Sequence, residues 1–162
     1  MTIEATGSKR ITSANVVFCV DATGSMEFAI TAVKNAIVRV AEIYMASRIH
    51  ISVGLVQFRD IVFAGRDDCG YPTLEMASFS DGSSFTANTS EFSSSVGSLV
   101  AAGGGPNPES SFDAIAHAAS HSNWSPGATR VIVHITDAEP RIPDDSMNDV
   151  DDLRSILTKS GI

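Results

Sequence analysis

The segment Asp21-Ala22-Thr23-Gly24-Ser25 spaces one carboxylate and two hydroxyls at alternate positions, and Gly24 allows a tight turn that aims all three at one point. These are hard oxygen donors, the type Mg2+ accepts at about 2.0–2.1 Å in near-octahedral geometry while usually keeping several waters. Further along, Thr136-Asp137-Ala138-Glu139-Pro140 offers a second carboxylate in Asp137, able to act directly or through water. Two negative charges against a dication leave a near-neutral site with open positions, one of which an incoming carboxylate can fill. That is a chemistry of binding, with no bond broken.

Both loops follow patterns of buried strands. Val16 to Val20 (VVFCV) is a continuous apolar run suited to a strand buried on both faces of a mostly parallel sheet, and Arg130 to Ile135 (RVIVHI) is another. Beyond Asp21, the residues Met26, Ile30, Val33, Ile37, Val40 and Tyr44 recur at spacings of four and three, which predicts a helix from about Ser25 to Ala46. Ile51 to Phe58 reads as a further strand. After the short break Arg59-Asp60, Ile61-Val62-Phe63 predicts a hairpin that adds an antiparallel edge strand. Residues 65 to 88 read as loop, with a short strand around Leu74 to Phe79. A short helix is expected from Thr89 to Val100, capped by Thr89 or Ser90, and another from Glu109 to His121 with Pro108 in its first turn. The tail Asp144 to Ser160 predicts an acidic-capped helix. Strands alternating with helices make this a doubly wound α/β sheet with helices on both faces. Ligands of such sheets gather at the carboxyl ends of the strands, where three polar loops qualify: Asp21 to Met26, Gly103 to Glu109, and Thr136 to Pro140.

The 162 residues suit one domain, read as a loose polar leader over residues 1–14 followed by the domain over 15–162. A formal net charge of −8, with no basic run longer than Lys9-Arg10, disfavours a nucleic acid partner. No stretch reaches the ~20 apolar residues of a membrane span, and Met1 to Asn15 lacks the apolar run of a secretory signal, so the expected compartment is the cytoplasm. Cys19 and Cys69 form neither a disulfide framework nor a zinc pattern and read as a buried thiol and a loop thiol. The four histidines, His50, His117, His121 and His134, read as structural. Arg59-Asp60 reads as a turn-side ion pair, and Trp124 as packing over the end of an element.

At these residues the chain resembles the von Willebrand factor A domains. VVFCVDATGSM (16–26) is similar to the first part of their metal-ion-dependent adhesion site, Asp-x-Ser/Thr-x-Ser after the first strand. GLVQFRD (54–60), GGGPNPES (103–110) and ITDAEP (135–140) resemble segments of one branch of that family, and all four come in family order. The resemblance implies a Rossmann-like fold and a site in which Asp21, Thr23, Ser25 and Asp137 hold Mg2+, with Mn2+ or Ca2+ as alternatives. It implies a non-enzymatic module, one part of a larger chain or assembly, that binds a protein presenting an Asp or Glu. Where the family places a Thr or Asp in the middle loop, this chain has Pro106, which offers no side-chain oxygen; Asn107 or a water is the expected substitute. The family fold also continues past the Asp144 to Ser160 helix with a further edge strand and a final helix, so the resemblance implies either a fragment of a longer protein or a sheet one strand short, with an edge that a partner could cover.

Two other readings stand beside this one. DATGS also resembles the Asp-Lys-Thr-Gly-Thr segment of ion-pumping haloacid dehalogenase relatives, which would make Asp21 a nucleophile in phosphoryl transfer. That chemistry needs a Lys near the phosphate, whereas Lys34 lies inside the first helix and Lys159 at the far end of the chain. Pro106 motivates the other reading, a structural interaction domain with a degenerate metal site.

Overall fold

The computed structural model describes residues 12–63, 69–106 and 108–162. Most of the expected leader, residues 1–11, lies outside them, as does Asn107. The first strand, β1 (Ser13–Asp21), already takes in the last two residues assigned to the leader, and from Ala14 onward every residue in it is buried. It runs parallel to β2 (His50–Phe58) on one side and to β4 (Thr129–Ile135) on the other. A third strand, β3 (Leu74–Met76), pairs antiparallel with β2 and completes the order β3-β2-β1-β4. In register, Asp21 stands opposite Phe58, and Val20 opposite Ile135. The carboxyl ends of the three parallel strands therefore reach one rim together, and the loops opening at Asp21, Arg59 and Thr136 start side by side.

Alternation along β1 divides the core into two layers. Val16, Phe18 and Val20 pack with Val53 and Leu55 against α1 (Ile30–Met45) and α2 (Thr89–Gly97), through Ile30, Ile37, Ala41, Phe92 and Val96. Val17 and Cys19 face the other way, where Val56, Phe58 and Phe85 meet Ala114 and Ala118 of α3 (Ser111–His121). Behind α3, Ala116, Met147 and Leu153 join it to α4 (Val150–Lys159). Cys19 is fully buried, which pushes its thiol pKa upward, and the nearby Asp21 charge adds to that; Cys69 is half-buried, and both thiols are free.

Several boundaries differ from expectation for local reasons. Ile61–Phe63 is a short 3-10 turn, and the antiparallel edge is supplied by Leu74–Met76. A hairpin directly after β2 would need positive-φ turn residues, whereas Arg59 and Asp60 are buried and fix the chain instead. The Arg59 N–H donates to Thr73 O (2.7 Å), which delivers the later segment to the edge. Residues Gly24–Phe28 form a 3-10 turn, so α1 starts at Ile30 and not at Ser25. Asn88 caps α2, its side chain accepting from the N–H groups of Ser90 and Glu91 at 3.0 and 3.3 Å. Pro108 lies outside α3, because Glu109 is held in a short parallel bridge to Pro140 before the helix begins. Likewise α4 waits for its cap, Asp149; Asp144 is buried elsewhere and accepts from the Asp113 N–H. Trp124 does pack over an element end, its Nε1 donating to Ala119 O (2.8 Å).

Gly54 in β2 shows how closely the 79–86 loop lies on the sheet, since a Cβ there would stand 2.6 Å from the Ser84 carbonyl. A backbone atom cannot swing aside as a side chain can. Gly54→Ala is expected to cost about 1–3 kcal/mol, read as a lower urea midpoint at unchanged slope.

Candidate metal centre

Asp21 closes β1 with its carboxylate fully buried at the rim. Its Oδ1 accepts from the Thr23 N–H (2.8 Å) and the Thr23 hydroxyl (2.7 Å), while its Oδ2 accepts from the Thr136 hydroxyl (2.6 Å). Thr23 Oγ1 lies 3.0 Å from Ser25 Oγ, which in turn donates to Asp137 Oδ1 at 3.0 Å. The structure thus brings together Asp21, Thr23, Ser25 and Asp137, on two loops more than a hundred residues apart in sequence, as one unbroken chain of oxygens. Neighbouring ligands on an octahedron of ~2.0–2.1 Å bonds stand about 3 Å apart, the spacing of Thr23, Ser25 and Asp137. The donors present fit a hard dication. Among the described residues no three His, Cys, Asp or Glu side chains cluster for a metal ion, so hydroxyls and waters would complete the shell.

The middle loop lies directly on the first. Gly24 N–H donates to Gly103 O (2.8 Å), and Ala102 N–H donates to Ala22 O (3.0 Å). Gly104, at φ +87°, is required by this approach, since a Cβ would sit 2.9 Å from Thr23 Cγ2. Pro106 is exposed and contributes its carbonyl but no side-chain oxygen.

Two residues of this centre escape a reading of the sequence. Thr136 holds the outer oxygen of Asp21, a role visible only once β1 and β4 are known to be neighbours. Glu109 is 1% exposed, and its Oε2 is buried without a hydrogen-bond partner. Burial first, then the charges of Asp21 and Asp60, push its carboxyl up to about 7, with Arg141 opposing and Asp137 adding to the rise. A buried carboxylate oxygen left unmatched is costly and suits a cation or a bound water. The signal lay in the middle-loop segment GGGPNPES, where attention falls on positions 106 and 107.

Arg59 and Asp60 do not pair with each other, contrary to the turn-side reading. Arg59 is buried and donates to the carbonyls of Val100 (2.7 Å), Ala102 (2.8 Å) and Pro72 (2.6 Å), with the Tyr71 ring 5.1 Å from its guanidinium carbon. Asp60 is buried against Arg141 at 2.8 Å. No described histidine hydrogen-bonds to the rim chain of oxygens: His134 stacks on Phe58 within reach of the Asp21 charge, and His117 and His121 stack on each other one turn apart along α3.

The family model for the von Willebrand factor type A domain matches residues 15–162. The chain belongs to that family. Over 126 residues this VWA domain is 31% identical to Alpha-protein kinase vwkA of Dictyostelium discoideum, a match covering 76% of this chain and 18% of the kinase. Among solved structures it resembles the pilus adhesin SpaC from Lactobacillus rhamnosus GG in its open conformation, with a TM-score of 0.59 at 18% identity. That likeness covers 82% of this chain and 15% of the adhesin, and it speaks for the fold. The chain therefore spans less than a fifth of either relative, both of them larger proteins. VWA domains are generally protein-interaction modules, typically non-enzymatic, and commonly bind a divalent metal. The comparisons give the haloacid dehalogenase alternative no support, and Lys34 is directed to the Gly97 carbonyl (2.9 Å). No helix among the described residues is long and apolar enough to cross a membrane.

Proposed function

We propose that this VWA domain holds Mg2+ at the Asp21 rim and uses it to bind an acidic group of a protein partner. Asp21, Thr23, Ser25 and Asp137 would hold the ion, with Mn2+ or Ca2+ as substitutes. Asn107, or the Glu109 carboxylate, would serve for the oxygen that Pro106 lacks. Bound there, the ion supplies a Lewis-acidic position open to a carboxylate. The observation that carries this reading is the run of oxygens at 2.7–3.0 Å from Asp21 through Thr23 and Ser25 to Asp137.

The chain's own residues do the positioning. Thr136 and Thr23 lock the Asp21 carboxylate from both sides, and the 3-10 turn after Gly24 presents Ser25. Phe28, 97% exposed and three residues beyond Ser25, offers apolar surface beside the site to whatever docks there. The net charge of −8 favours a partner that approaches through the ion and disfavours nucleic acid. We read the domain as a non-enzymatic part of a larger assembly in the cytoplasm, where its two free thiols would remain reduced.

Selection of random displayed peptides on the immobilised protein, with magnesium or with excess EDTA, tests the reading. Enrichment in magnesium of peptides carrying an Asp or Glu whose amide replacement abolishes binding is the expected result. Peptides that bind equally well in EDTA would favour the degenerate-site reading and overturn this one.

A further inference from the structure

We infer that Arg59 and the Asp60–Arg141 pair are positioning residues that hold the middle loop against the metal centre by its main chain, and so set the affinity for the ion without touching it. The inference rests on the proposed magnesium site. Between α2 and α3 the loop has no helix or strand of its own beyond the single Glu109–Pro140 bridge, and it carries two positive-φ glycines, Gly103 and Gly104, together with Pro106 and Pro108. Its hydrogen bonds to the first loop, from the Gly24 N–H to Gly103 O and from the Ala102 N–H to Ala22 O, join main chain to main chain. Something must hold both ends.

Arg59 holds the entering end. Rising from the end of β2, its guanidinium donates to Val100 O and Ala102 O on the loop and to Pro72 O on the opposite side. Arg141 holds the leaving end, donating from Nη2 to the carbonyls of Pro106 and Pro108. Asp60 neutralises Arg141 with both carboxylate oxygens, at 2.8 and 2.9 Å from Nη2, and also accepts from the Ser110 hydroxyl at 3.3 Å. Arg141 belongs to the loop that carries Asp137, and its own N–H donates to Glu109 O at 2.7 Å. One residue therefore ties the second carboxylate loop to the segment bearing Glu109.

A guanidinium suits this task because its planar fork fixes donors on separate nitrogens, whereas an ammonium places its three donors on one nitrogen. Arg59 reaches Ala102, Pro72 and Val100 from Nε, Nη1 and Nη2, and Arg141 keeps Asp60 on Nε and Nη2 while Nη2 faces the proline carbonyls. The carbonyl is also the one polar group a proline keeps. Pro106, which removes a side-chain oxygen from the site, therefore retains the atom by which the loop is held.

The test uses Arg141→Lys and Arg59→Lys, each keeping the charge but losing the fork, with Arg130→Lys as control. Arg130 sits near the opposite end of β4, bonded to Ser160 O and over the Trp124 ring. Calorimetric titration with magnesium is expected to show affinity falling about 10–100-fold in the first two variants and unchanged in the control. Hydrogen exchange in excess EDTA supplies a metal-independent readout: the Gly24 and Ala102 amides are expected to exchange about tenfold faster in the first two variants. Unchanged affinity together with unchanged exchange in folded Arg141→Lys and Arg59→Lys overturns the inference. A wild-type chain that takes up no magnesium instead overturns the reading of the site, and the exchange data still decide whether the arginines hold the loop.

Discussion

Asp21→Asn is expected to lower magnesium affinity about 100-fold or more, a larger loss than the 10–100-fold typical of residues that only support a ligand. The substitution keeps the shape of the side chain but removes its charge. It also turns one oxygen into a donor facing hydroxyls of Thr23 or Thr136 that now donate to it. The effect on stability follows by linkage: at a magnesium concentration of about 100 times Kd the wild-type chain gains ~2.7 kcal/mol against unfolding. That gain should vanish in the variant and, for the wild type, in EDTA. Equal heats of titration for wild type and variant would sink the assignment of Asp21.

The metal-free chain is expected to lose a contribution of on the order of 3 kcal/mol as pH rises from about 4.5 to about 7, through Glu109. An ordinary glutamate ionises near the lower value, whereas Glu109 in the folded chain stays protonated up to the higher one, so between them the folded state binds the extra proton. Stability from this group is therefore complete below about 4.5 and gone above about 7. His117 and His134, whose pKa values are lowered chiefly by burial, act in the opposite sense over part of the same range. The contribution is consequently read as a difference, from urea denaturation of wild type and Glu109→Gln across that range in EDTA. The variant should be the more stable of the two at pH 8, and two parallel pH profiles would refute the placement of an unmatched carboxylate there.

Legibility in the sequence followed the range of the forces involved. VVFCV and RVIVHI announce strands because a run of consecutive apolar residues is a local property, and the α1 stripe is equally local. Burial is not local: β1 is buried on both faces, whereas β4, read as buried on both faces too, lies at the edge of the described sheet with Val131 37% exposed. Asp21, Thr23 and Ser25 share one turn, and Asp137 follows the second such strand, so the parallel register alone brings them to one rim. Arg59 and Asp60 are different. Side by side in sequence they look like a surface ion pair, yet each is matched by groups tens of residues away, and nothing nearby announces that either is buried. Glu109 is misleading in the same way, because a glutamate before a helix is ordinarily solvated, and only the convergence of three loops removes its water. The edge strand is Leu74–Met76 and not Ile61–Phe63 because Arg59 and Asp60 are buried and the Arg59 N–H bonds to Thr73 O, anchorings that the residues around 61–63 do not announce.

The two thiols give the molecule an addressable point. Cys19 is sealed between the sheet and α3 with its pKa raised, so alkylating reagents meet the half-buried Cys69 first. Cys69 is two residues from Tyr71, whose ring faces the guanidinium of Arg59. A fluorophore attached there reports, through its emission, whether the far side of the loop shifts when an ion or an acidic peptide arrives.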